Sequence, residues 1–325
     1  MKQQNLYKYF IRGAFISAGL MAFSYAGVAQ VTDSTVVEET EEIAQPVKRK
    51  PVKNTFESIW LIDNQTVMVP AKNTFEMDIM HRFGTMKNGY DDFFGFFAPS
   101  NIKLGFNYTP MDNLMIGASI TKENMIWEGS AKYAVIKQTK DLYPVSVTYY
   151  GNLGVKTRDE EYVHFSDRIS YFNQVMIARK FNDKLSLQIA PSVSHINVVN
   201  GLYNYENVKG STGADSTVSS IIGEMKHNHF AVALSGRYKI KEAMAIILNY
   251  DQPITDHPTR NPDPNFAIGI EVATSAHAFQ FFIGNYYFIS PQMNNMFNQN
   301  NPAVDLKDKY KQFLIGFNIT RLWSY

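Results

Sequence analysis

From about Asn73 to the C-terminus, apolar and polar side chains alternate almost one by one. The last stretch shows this most cleanly. Phe313, Ile315, Phe317, Ile319, Trp323 and Tyr325 share one parity; Leu314, Gly316, Asn318, Thr320 and Ser324 share the other. Successive side chains of a strand point to opposite faces, so the segment predicts a strand with one apolar face and one small, polar face. Arg321 breaks the apolar row near its end, where a long stem can stay on the apolar surface while its guanidinium reaches a polar boundary.

The pattern recurs upstream. Phe75, Met77, Ile79 and Phe83 alternate with Thr74, Glu76, Asp78 and Arg82. Ile102, Leu104, Phe106 and Tyr108 alternate with Asn101, Lys103 and Asn107; Trp127, Ala131, Tyr133 and Val135 with Glu128, Ser130 and Lys132. Leu185, Leu187, Ile189 and Val193 alternate with Ser186, Gln188, Ser192 and Ser194. Phe230, Val232, Leu234 and Tyr238 alternate with His229, Ser235, Arg237 and Lys239. Phe266, Ile268, Ile270 and Val272 alternate with Ala267, Gly269 and Glu271, and Phe279, Phe281 and Ile283 with Gln280, Phe282 and Gly284. With weaker segments at 114–121, 145–155, 169–179 and 244–250, the chain predicts about twelve strands, an even number as single-chain membrane barrels have.

The connections alternate too. Short turns are expected at 110–113, 139–143, 182–183, 241–242 and 274–276, and longer loops at 84–100, 156–167, 199–226, 251–264 and 288–309, with one short loop at 122–125. Membrane barrels have short periplasmic turns and long outer loops. The expected fold is therefore all-β: a transmembrane antiparallel up-and-down barrel with short periplasmic turns, longer extracellular loops and both termini periplasmic. A soluble sandwich also alternates, but it does not call for aromatics near strand ends. Here Tyr108, Trp127, Tyr133, Tyr149, Tyr171, Tyr238, Tyr250, Tyr310 and Trp323 fall mostly there, where a membrane girdle lies.

Composition agrees with this. Mean hydropathy is slightly negative, as expected where only every second side chain meets lipid. The N-terminus differs from the rest. Lys2, Lys8 and Arg12 precede an uncharged apolar run, Ala14 to Ala26, and the small residues Gly27-Val28-Ala29. This predicts a signal peptide over 1–29, with the run too short for a spanning helix. Residues 30–54 carry an acidic block (Glu38, Glu39, Glu41, Glu42) and a basic one (Lys48, Arg49, Lys50, Lys53) without apolar periodicity, and read as a disordered periplasmic linker. The barrel is expected over 55–325. The net charge of +1 argues against nucleic acid as a partner, and zero cysteines exclude disulfides, thiolate metal sites and cysteine nucleophiles.

The stretches Asn73–Gly84 (NTFEMDIMHRFG), Asn101–Tyr108 (NIKLGFNY) and Ile268–Gly284 (IGIEVATSAHAFQFFIG) resemble an uncharacterised outer-membrane barrel family of the Bacteroides-like phylum. That resemblance implies fold and location over residues 55–325 and carries no activity. The closing strand, ending on Tyr325, resembles the assembly signal of outer-membrane proteins. It implies the barrel-assembly machinery as a partner, beside outer-membrane lipid and a possible periplasmic partner of the linker.

Candidate chemistry lies on the polar parity. Glu76, Asp78, Arg82, Lys103, Glu128, Lys132, Arg237, Lys239 and Glu271 are the lumen-lining candidates, and their mixed signs suit either an aqueous path or ion pairs that close it. Segment 54–68 is a possible plug. His227 and His229 share a strand face, yet a metal site needs a third ligand, and none converges in sequence. His164 and Ser166 have no orienting third group for catalysis. Phe93, Phe94, Phe96 and Phe97 form an aromatic loop cluster, and Asn294, Asn295, Asn298, Asn300 and Asn301 read as a solvated loop. No catalytic, cofactor or metal site is therefore expected. The function expected first is a passive channel or uptake pore for small solutes. A closed structural or docking barrel comes second, and a lipid hydrolase a remote third.

Overall fold

The computed structural model describes residues 49–158, 162–209, 215–301 and 312–324. The expected signal peptide, the linker up to Lys48, Tyr310 and the terminal Tyr325 lie outside the described residues. In chain order the elements are β1 (Trp60–Leu61), β2 (Asn64–Gln65), β3 (Thr74–Thr85), β4 (Asn101–Met111), β5 (Leu114–Thr121), β6 (Ile126–Ile136), β7 (Ser146–Lys156), β8 (Ile169–Lys180) and β9 (Leu185–Ile196). They continue with β10 (Gly201–Lys209), β11 (Asp215–Glu224), β12 (Asn228–Lys241), β13 (Met244–Pro253), β14 (Asn265–Ala273), β15 (His277–Gly284), a short helix α1 (Pro291–Phe297) and β16 (Leu314–Ser324).

Twelve of these strands, β3 to β9 and β12 to β16, form one closed barrel in which each pairs antiparallel with its neighbours. Closure comes from β16 against β3, with Trp323 opposite Phe75 and Thr320 opposite Asp78. The chain detours once, between β9 and β12, where β10 and β11 pair only with each other as a projecting ribbon; β12 then rejoins β9 with His229 opposite Ser194. Closure matters because it leaves no backbone edge to satisfy in hydrocarbon.

The faces are inverted relative to a water-soluble protein. Leu104, Phe106, Trp127, Tyr133, Val135, Leu187, Phe230, Ile268, Ile270 and Phe281 are exposed on the outside, whereas buried polar and charged residues outnumber buried apolar ones. Period-two alternation places these sets on opposite sides of the wall. Arg321 points outward with its guanidinium 4.7 Å from the Trp323 ring centre, so it sits in the aromatic rim as its place in the sequence suggests. Among the described residues no helix is long and apolar enough to cross a membrane.

Residues 55–69 do not join the wall. They run inside it, folded as the β1–β2 hairpin whose turn holds Ile62 at a φ of 58°. Phe56, Leu61, Ile62 and Val67 pack on Tyr150, Phe172, Met176, Ile247, Phe282 and Tyr286 of the inner surface. Ile59 and Trp60 pack on Met80, Met115 and Ile289. Small wall residues make the room, with Ala178, Ala190, Ala233 and Ala267 in the same cluster. Gly316 does so by close approach: a Cβ there would come within 2.6 Å of the Phe282 ring and 3.0 Å of Arg82.

Helix α1 fills the end of the barrel that carries the long loops. Proline at its start suits the first helical turn, whose N–H groups lack intrahelical partners. Met293 and Met296 pack on Ile126, Ile196 and Met225. Gly154 lets it approach, since a Cβ there would meet Gln292 Nε2 at 2.7 Å. The solvated loop expected over the asparagines is thus corrected: Asn294, Asn295 and Asn298 are buried. Composition alone suggested solvent, but in this barrel the polar surroundings are on the inside.

Candidate functional site: the plugged lumen

Six of the nine charged lumen candidates come together on one side of the plug. Glu76, Asp78 and Arg82 project inward from β3, Lys103 from β4, and Glu128 and Lys132 from β6; all are buried. Lys103 pairs with Glu128, and Arg82 pairs with Asp63 of the hairpin turn. Arg82 also donates to Asn318 Oδ1 at 2.9 Å and stacks 4.4 Å from the Phe282 ring centre. Asp78 Oδ2 accepts from Trp60 Nε1 at 2.9 Å and from Asn107 at 2.7 Å. Lys132 reaches the carbonyls of Ile59 at 3.3 Å and Met68 at 3.2 Å. Across the lumen, Arg237 donates to Glu271 at 2.7 Å and lies 3.7 Å from Glu57. Lys239 is only partly buried, two residues nearer the end of β12.

The plug backbone has a second set of partners that the sequence did not single out. A hairpin this short leaves most of its N–H and C=O groups without internal bonds, and buried backbone groups must be paired. Wall amides and hydroxyls supply the pairs. Gln280 accepts from Ile62 N at 3.0 Å and donates to Trp60 O at 2.9 Å. Gln188 accepts from Val67 N at 3.0 Å and donates to Gln65 O at 2.7 Å. Thr148 donates to Val67 O at 3.0 Å, Asn318 to Ile62 O at 2.6 Å, and Asn249 to Leu61 O. The alternation does put these residues on the inner parity. What it lacks is any sign that a chain segment lies opposite them.

Below the plug, Val52 N donates to Gln138 O at 2.7 Å and Pro51 bridges to Thr139. The entering chain is therefore held against the β6–β7 turn, at the short-turn end.

These features fit one description. Residues 56–323 match the family described as a membrane bound beta barrel domain (DUF5777). The chain belongs to that family. The match begins at Phe56, so the family's domain includes the plug as well as the wall. No curated protein matches the chain. Among solved structures, the chain is similar to the NanC porin, at 8% identity and a TM-score of 0.43, over 77% of this chain and 99% of that one. An outer membrane channel from Pseudomonas putida F1 shows 13% identity and a TM-score of 0.43, over 79% and 97%. The KdgM porin shows 9% identity and a TM-score of 0.41, over 77% and 99%.

The remaining candidates disperse in this member of the family. His229 is buried and lies 2.9 Å from His257 of the next loop, while His227 is exposed and stacks on His195. No cluster of three metal-ligating side chains occurs among the described residues. Ser166 Oγ donates to Asp167 at 3.4 Å, and His164 is exposed beside it with its backbone N–H on the same carboxylate. Phe93, Phe94, Phe96 and Phe97 are exposed and pack on one another and on Phe83, whose ring lies 4.6 Å from that of Phe96.

Proposed function

We propose that this chain is an outer-membrane barrel that rests closed, with residues 55–69 as its plug, and that it passes small solutes when the plug is displaced. In this reading both termini are periplasmic, residues 1–29 are the signal peptide and residues 30–54 the linker, which offers a handle to a periplasmic partner. The closing strand up to Tyr325 is the segment the barrel-assembly machinery would read. A source in the Bacteroides-like phylum accords with the sequence resemblance.

The observation that carries the reading is the way the plug is held. It is fastened to the wall by side-chain hydrogen bonds, ion pairs and apolar contacts, with no strand pairing to the barrel. The wall groups that hydrogen-bond or ion-pair with it can be satisfied by water once the plug leaves.

The experiment is planar-bilayer conductance of the refolded mature chain beside a variant lacking residues 55–69. The intact chain should be silent or open rarely, and the variant should conduct steadily. Silence of a correctly folded deletion variant would favour the second reading, a docking barrel. One observation speaks for that alternative: the β10–β11 ribbon exposes Tyr203, Tyr205, Ile221 and Ile222 beyond the barrel.

A further inference from the structure

A small cavity of about 10 Å³ lies where the plug tip, the wall and α1 meet, and Asp63, Asn64, Gln174, Asp251 and Asn294 all line it. That is room for about one water-sized or ion-sized occupant. The orientation of its amides follows from two carboxylates, which only accept hydrogen bonds when ionised. Asn64 Nδ2 donates to Asp251 Oδ1 at 2.6 Å, which turns Asn64 Oδ1 toward Gln174. Gln174 Nε2 faces that oxygen at 3.4 Å. Asn294 Nδ2 donates to Asp63 Oδ2 at 2.8 Å and to the Phe288 carbonyl at 2.5 Å. Flipping either amide would set oxygen against oxygen. Two buried acceptors are left over: Gln174 Oε1 and Asn294 Oδ1 receive no hydrogen bond among the described residues. Their side chains belong to residues only 2% and 3% exposed.

The charge count points the same way. Asp63 is neutralised by Arg82. Asp251 accepts from Asn64 and from Asn265 and forms no ion pair among the described residues. The cavity therefore combines one uncompensated carboxylate with amide oxygens that lack donors. Such an all-oxygen set suits a hard cation.

We propose that this cavity binds one small monovalent cation of the sodium class, held by Asp251 and by the amide oxygens of Gln174 and Asn294. A divalent ion would overcompensate the single carboxylate, and magnesium would bring waters for which there is no room. The ion would join plug, wall and helix at one point and stabilise the closed state by mass action. This inference holds whether or not the plug ever moves.

The test is thermal unfolding of the refolded mature chain in sodium chloride and in N-methylglucamine chloride at equal ionic strength. Sodium should raise the midpoint, with saturation. Asp251→Asn should abolish the difference between the two salts. Gln174→Met keeps the charge and removes one oxygen ligand, so it should move half-saturation to about tenfold higher sodium, one decade in affinity. If Asp251→Asn fails to fold, the Gln174→Met titration decides. Equal midpoints in both salts would mean that the cavity holds only water and would overturn the proposal. A saturable response to calcium without one to sodium would overturn the assignment to a monovalent ion.

Discussion

The two sides of the lumen hold the same plug by different means. On β3, β4 and β6 the inner face carries six carboxyl, amine or guanidine side chains, Glu76, Asp78, Arg82, Lys103, Glu128 and Lys132. On β7, β8 and β9 it carries none, and the buried inward polar residues include Thr148, Asn152, Ser170, Gln174, Gln188, Ser192 and Ser194, with apolar neighbours. The charged side fixes the plug at points, by the Arg82–Asp63 pair, by Asp78 on the Trp60 ring nitrogen and by Lys132 on two carbonyls. On the amide side Gln188 and Thr148 bond the plug backbone at Gln65 and Val67, as a sheet neighbour would. Charge gives position, because a buried pair is severely destabilised when one partner goes. Amides give a contact that water can replace at lower cost, since a single neutral hydrogen bond nets only about 0.5–1.5 kcal/mol. The proposed displacement of a plug that otherwise stays put is served by both.

The comparison can be broken from the charged side first. Arg82→Ala leaves Asp63 buried without its cation and Asn318 without its donor. We expect a loss of about 3–5 kcal/mol, the usual cost of stripping one partner from a buried pair, measured by urea unfolding in detergent. Lys132→Met should come next. It removes the only direct tie from Lys132 to the Ile59 and Met68 carbonyls, and each uncapped group costs about 1–3 kcal/mol. More frequent channel openings, with the barrel still folded by heat-modifiable gel migration, are the expected readout.

On the amide side, Gln188→Leu breaks the bonds to Val67 N and Gln65 O. It should cost less than Arg82→Ala, and hydrogen exchange at the Val67 amide should quicken. An effect as large as that of Arg82→Ala would erase the distinction between the two sides. The smallest effect should come from pH at the long-loop end. Burial, aided by nearby Lys226, holds His257 below its ordinary pKa of 6.5. Its Nδ1 accepts from Lys226 N at 3.0 Å, a bond that protonation removes. Because the folded-state pKa is lowered, this contribution is complete above 6.5 and is lost as pH falls from there through the lower folded-state pKa. Proteolysis of loop 254–264 should accelerate modestly in that direction, and a His257→Gln variant should lose the dependence.

Much of the wall was legible because one physical rule writes it. A strand between lipid and a polar interior must alternate, so Phe75, Met77 and Ile79 separate from Glu76 and Asp78 without further information. The plug follows no such rule. Between Thr55 and Val69 its side chains meet the wall on all sides, so Trp60, Asp63 and Thr66 are buried together and no period survives. Helix α1 was hidden for a related reason: beside Met293 and Met296 it buries Gln292, Asn294 and Asn295, polar residues that point inward because the interior is polar. The charged lumen residues were visible because charge on an inner parity draws notice. Gln188, Gln280 and Thr148 were not, because an amide or hydroxyl in a strand looks the same whether it faces water or a chain segment.

The most direct test of the closed, plugged lumen uses the absence of cysteine from the sequence. Ser58 of the plug and Thr320 of the wall bring their hydroxyl oxygens within 3.5 Å, so a Ser58→Cys, Thr320→Cys double variant can lock the two together reversibly. Single-channel recording of that variant should show no openings when oxidised and openings that return on adding reductant. Equal conductance in the oxidised and reduced states would contradict the account, since solutes would then pass with the plug fixed in place.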